Sequence, residues 1–135
     1  MGKIGSHMNN MWAFRMQWKG GTTLNNSKIR EVVELFAKEA ERVYGDKLKK
    51  VILYGSCARG DFDEQSDIDI MLLLDIKPEQ ISEERNKIFS VADYFDLNYD
   101  VVLSPVVQSI SVFNKYMPAS VFYQNIAREG VLVAG

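Results

Sequence analysis

Apolar residues recur at helical spacing through "NNSKIREVVELFAKEAERVYGDK", where Ile29, Val32, Val33, Phe36, Ala40 and Val43 fall on one face. Asn26 or Ser27 supplies the cap and Gly45 the stop, so the segment predicts an amphipathic helix. The pattern then changes. "KKVILYGS" carries a short unbroken apolar run ended by Gly55-Ser56 and reads as a buried strand over 50–54. After a polar loop, 57–66, "DIDIMLLL" is a second aliphatic and β-branched run bounded by turn residues, which suits a buried sheet position. Pro78 opens a second helix over 79–94, with Ile81, Ile88, Phe89 and Ala92 inward. "LNYDVVLSP" predicts a third strand, 97–103, closed by Pro105. Residues 106–117 fit neither period, "ASVFYQNIAREG" is a C-terminal helix stopped by Gly130, and "VLVA" suits a short edge strand. The order α-β-β-α-β-α, with a last β, predicts a small α/β (α+β) fold, a sheet with helices packed on it.

Composition narrows the classes. At 135 residues the chain is one domain by size. A net charge of −2 leaves no electrostatic footprint for direct nucleic-acid binding, which needs clustered Lys and Arg. Lys47, Lys49 and Lys50 form the cationic cluster of the body and read as a solvated turn. A single cysteine, Cys57, excludes an internal disulfide and fits a reducing cytosol; it reads as a small residue packed under the turn. No run approaches a membrane span or a signal-peptide core, so a cytoplasmic protein with no membrane partner is expected. "GSHM" at 5–8 looks like the scar of a removed expression tag. Residues 1–24 are therefore a tag remnant plus a Met- and Trp-rich extension, read as a mobile segment or a strip that docks on a partner, and 25–135 is the domain. Setting the tag aside removes the single histidine, His7. Serine or cysteine hydrolysis of the usual kind then lacks its base, and a His-ligated zinc site has no ligand.

The acids are the informative residues. Asp61, Asp63 and Glu64 suit a solvated loop, but Asp67 and Asp69 stand in the mouth of a buried strand, where ionised carboxylates are costly unless a cation meets them. Alternate strand residues share a face, so these two point the same way with Cα atoms roughly 6.5–7 Å apart. Such a pair suits Mg²⁺, which one or two carboxylates hold together with substrate phosphates. Asp100 is a lone acid in the third predicted strand; if that strand lies beside the second, three carboxylates meet at one edge. Gly55-Ser56 ends the first strand in a tight turn, where backbone amides and a hydroxyl can approach a phosphate.

Gly55-Ser56, ten residues, then Asp67-Ile68-Asp69 resembles the Gly-Ser-x10-Asp-x-Asp signature of the DNA polymerase beta-like nucleotidyltransferase superfamily. Four such residues at fixed offsets arise by chance on the order of once per thousand chains of this length. The full stretch "GSCARGDFDEQSDIDI" is similar to the minimal nucleotidyltransferases, in which Ala58-Arg59-Gly60 and Ser66 also recur, and the likeness covers roughly 27–134. The resemblance implies a nucleotidyltransferase-type mixed sheet and transfer of AMP from ATP. It implies two Mg²⁺ on Asp67, Asp69 and Asp100, with Asp100 also the base. Gly55 and Ser56 would hold the triphosphate, and Arg59 and Ser66 belong to the nucleotide site. Arg59 could equally pair with a loop acid. Larger members carry a helical acceptor domain, so here another chain is expected to present the acceptor. The resemblance implies a HEPN-type helical toxin whose tyrosine is modified, this chain being the antitoxin. Two alternatives stay open: a transferase subunit for a small hydroxylated molecule such as an aminoglycoside, and a non-catalytic antitoxin acting by occlusion.

Overall fold

A computed structural model describes residues 27–63 and 65–135; the tag remnant, the extension, Asn25, Asn26 and Glu64 lie outside the described residues. The elements in chain order are α1 (Ser27–Tyr44), β1 (Leu48–Tyr54), α2 (Ser56–Arg59), β2 (Ile68–Leu74), α3 (Ile81–Tyr99), β3 (Leu103–Ser109), α4 (Ile110–Tyr116), α5 (Val121–Glu129) and β4 (Val131–Ala134). The strands form one mixed sheet in the order β3-β2-β1-β4. β1 runs antiparallel to both neighbours, and β2 is parallel to β3 through the α3 crossover.

Strand alternation divides the core into two layers. Val51, Leu53, Ile68, Ile70, Leu72 and Leu74 join the core built with α1 and α3. Ile52, Met71 and Leu73 turn the other way and meet Phe113 of α4 and Ile126 of α5. Both faces of β1 and β2 are covered, which is why their sequences are continuous apolar runs rather than alternating ones. In the first layer Phe36 is wholly buried and meets Phe95 edge-on at a centroid distance of 5.8 Å.

Several expectations are corrected. The third strand is not 97–103: α3 continues to Tyr99, Asp100 caps it in the left-handed conformation (φ 54°, ψ 51°), and β3 starts at Leu103. Aspartate tolerates that conformation better than most residues. Pro105 lies inside β3, as an edge strand allows. The loop after Gly55 begins with one helical turn, α2. Phe89 is exposed, and the inward position one turn before the buried Ile88 belongs to Glu84, whose carboxylate is bridged by Lys47 at 3.2 Å and Lys87 at 3.1 Å. Lys50 is buried rather than solvated, and burial lowers its pKa. Among the described residues no helix is long and apolar enough to cross a membrane.

Candidate active site

The site lies where β1 hands the chain to α2. Asp69 on β2 is paired with Tyr54 on β1 and with Ser104 on β3, so it sits between the two neighbouring strands. Directly after Tyr54, Gly55 adopts φ 77°, ψ −156°, a region open essentially to glycine alone. A Cβ there would overlap Asp69 Oδ2 and come within 3.3 Å of its Cγ. The glycine therefore serves two needs at once: it reverses the chain into α2 and leaves space for the Asp69 carboxylate. α2 starts at Ser56, and the first amides of such a turn have no carbonyl partner inside the helix. Cys57 and Ala58 are buried beneath it, and Cys57 Sγ lies 3.6 Å from the Asp67 carbonyl oxygen.

The electrostatics follow from this crowding. Burial raises the Asp69 pKa, the neighbouring Asp67 carboxylate raises it further, and the Arg59 guanidinium offsets part of the rise. Burial first and Asp69 second push the Tyr54 hydroxyl up to about 12, so it stays protonated. Cys57 is pushed up to about 11, by burial first and then by Asp69, with Ser56 opposing and Asp67 adding. A thiol so held is no nucleophile at neutral pH.

Not all the expected residues come together. Gly55, Ser56, Asp67 and Asp69 do. Asp67 is exposed and accepts a long 3.5 Å hydrogen bond from Ser104 Oγ. Arg59 takes the loop-acid option: its Nε is 3.2 Å from Asp61 Oδ2, and Nη1 is 3.7 Å from Glu129 Oε1 at the end of α5. Ser66 shapes the preceding turn, its hydroxyl accepting from the Asp63 amide at 3.0 Å. Asp100 departs furthest from expectation. It lines a cleft with Lys28, Asp63, Ser66 and Ile68, and its carbonyl oxygen accepts from Lys28 Nζ at 3.4 Å. Among the described residues no three of His, Cys, Asp and Glu gather as metal ligands. The donor chemistry of Asp67 and Asp69 fits an oxygen-seeking divalent ion, and among the described residues no third carboxylate gathers beside them. Sequence reading missed two residues: Ser104, and Asp96, whose Oδ1 accepts from the Leu103 amide at 2.8 Å and anchors the start of β3. The signal for Ser104 was the β-branched run continuing past Pro105.

Fold and site together define a small α/β domain with a pair of carboxylates at the start of β2, an inner strand of its sheet. The model of the nucleotidyltransferase domain matches residues 29–132, and the chain belongs to that family. Two proteins of Methanocaldococcus jannaschii, each named "putative protein adenylyltransferase", are similar to it. One is 36% identical over 90 residues, covering 67% of this chain and 89% of the relative. The other is 34% identical over 100 residues, covering 74% and 92%. Among solved structures, a toxin–antitoxin with AMP-PNP aligns with a TM-score of 0.44 at 20% identity, over 76% of this chain and 73% of that one. A "putative nucleotidyltransferase" from Sulfolobus solfataricus aligns with a TM-score of 0.46 at 18% identity, over 84% and 87%.

Proposed function

We propose that this chain is a protein adenylyltransferase that moves AMP from ATP to a hydroxyl of a partner protein, with Asp67 and Asp69 as its metal-holding carboxylates. One observation carries the reading: Gly55 leaves room for the half-buried Asp69 carboxylate beside Asp67, in a chain of the nucleotidyltransferase family. The names of the relatives support a protein as acceptor.

The chemistry is an in-line displacement. The acceptor hydroxyl oxygen forms a bond to the α-phosphorus, the bond from that phosphorus to the α–β bridging oxygen breaks, pyrophosphate leaves, and the hydroxyl proton passes to water. Mg²⁺, when bound, screens the triphosphate from the two aspartates and stabilises charge on the transferring group. Gly55 and the Ser56 amide and hydroxyl hold the β- and γ-phosphates, which keeps the α-phosphorus in line. Arg59 is half exposed at the rim and can exchange Asp61 for a phosphate oxygen. The partner we favour is a HEPN-type helical toxin bearing the target tyrosine, with this chain as the cytoplasmic antitoxin. An adenylyl group beside the toxin's nucleic-acid site would repel RNA phosphates.

The test is to incubate the protein with the protein encoded beside it, ATP and Mg²⁺, and to read intact mass. The neighbour should gain one or more adenylyl groups, and Asp67→Asn with Asp69→Asn should abolish the gain. Suppression of the toxin by that double variant with no mass change would replace transfer by occlusion. Labelling of a small hydroxylated compound instead would make the chain a small-molecule transferase.

A further inference from the structure

We infer that Ser104 occupies the third ligand position of the metal face, so that the chain alone holds one divalent cation there and a second requires an anionic ligand from the nucleotide. The inference rests on the metal-dependent reading above and deepens it. Register carries it: in the parallel β2–β3 pair Ser104 is the partner of Asp69, and its hydroxyl reaches the other carboxylate, Asp67, at 3.5 Å. A side chain at 104 thus touches the ground between both acids. A carboxylate there would give three acids around one point, but the chain places a neutral hydroxyl, and no third acid joins Asp67 and Asp69 among the described residues.

The consequence is a matter of charge. Two carboxylates and one divalent cation are neutral together, and a second cation on that same pair would leave an excess of two positive charges in a partly buried cleft. A triphosphate supplies the missing negative charge, so the second ion should enter with the nucleotide. A hydroxyl can serve as a neutral oxygen ligand but adds nothing to this balance. Replacing it with a carboxylate should convert the face into one that recruits metal more strongly before any nucleotide arrives.

The experiment titrates Mn²⁺ into the full chain, with and without AMP-PNP, and counts bound ions by electron paramagnetic resonance. Without nucleotide the unaltered protein should bind one ion weakly. Ser104→Asp should tighten that binding at least tenfold or add a second ion, and Ser104→Asn, of equal bulk but uncharged, should do neither. Melting gives a second readout that does not need turnover. Metal-free Ser104→Asp should melt below Ser104→Asn through repulsion among three carboxylates and recover on adding Mn²⁺. If Ser104→Asp leaves stoichiometry unchanged and affinity within twofold, Ser104 is not at the third position. Two ions on the unaltered protein, one of them removed by Asp100→Asn, would also overturn the inference and return the third position to Asp100. Absence of Mn²⁺ binding under both conditions would overturn the metal-dependent function itself, and this inference with it.

Discussion

Gly55→Ala isolates the contact on which the site depends. The backbone at φ 77°, ψ −156° costs a residue with a Cβ about 1–3 kcal/mol. The new methyl would also overlap Asp69 Oδ2, and turning that carboxylate off its rotamer adds about 0.5–1.5 kcal/mol. Together the substitution should cost roughly 2–4 kcal/mol and lower Tm by on the order of 10–20 °C. That is a large share of a total stability of about 5–15 kcal/mol, yet small enough to leave the protein folded when cold. The functional effect should exceed the structural one, because the displaced carboxylate is the one proposed to hold the metal. At a temperature where circular dichroism shows the variant folded, Mn²⁺-dependent AMP-PNP binding by calorimetry should be lost. Gly45→Ala is the control. Gly45 also has a positive φ, 57°, but nothing stands within 4 Å of its added Cβ, so the variant should lose only about 1–2 kcal/mol and bind normally. A Gly55→Ala protein that melts within about 2 °C of the unaltered one would refute the strain argument by the same arithmetic. One that is destabilised yet binds nucleotide as tightly would refute the claim that Asp69 needs that space.

Two further outcomes concern charge. The raised Asp69 pKa means that the native state binds a proton more tightly than the unfolded chain, so the stabilising contribution is complete below the unfolded carboxylate value and is lost as pH rises through the folded one. Metal-free Asp69→Asn should therefore melt above the unaltered protein at neutral pH, with the gap closing in acid; a constant gap across pH would contradict this. Glu84 is the opposite case: burial raises its pKa, but Lys87 and Lys47 lower it by more, so its contribution is present above the unfolded value and is lost as pH falls through the folded one. Losing one partner of a buried ion pair costs about 3–5 kcal/mol, but both lysines are nearly half exposed and would return to water, so Glu84→Gln should cost about 1–2 kcal/mol by urea unfolding.

The elements that were legible in the sequence are those whose pattern has one physical solution. The α1 face of Ile29, Val32, Val33, Phe36 and Ala40 is buried as its spacing requires. The β1 and β2 runs are too apolar for anything but a doubly covered sheet, and Asp67 and Asp69 share a face because a strand has period two. β4 is an edge strand, as its brevity suggests. The less legible elements are those where two local rules compete. Tyr99 could end a helix or begin a strand, and Pro105 could close a strand or lie on its outer edge. Ile81–Tyr99 has a weakly segregated face, with Glu84 inward and Phe89 outward, so periodicity could not mark where the helix stops.

That one uncertainty decides which residue stands beside Asp69 in the sheet. The identity of the residue beside Asp69 depends on which part of the chain enters the sheet after α3, and this depends on where α3 ends. Had the strand begun at Leu97, Asp100 would lie within it and three acids could converge. With α3 carried to Tyr99 and Asp100 spent as its left-handed cap, β3 begins at Leu103 and the partner of Asp69 is a serine. The Asp96 carboxylate, holding the Leu103 amide at 2.8 Å from the last turns of α3, fixes that entry point. The Asp67–Asp69 pair needs only local spacing and so can be read from six letters of sequence. The residue beside Asp69 is set by a helix cap and a register between strands some thirty residues apart, which no local pattern encodes.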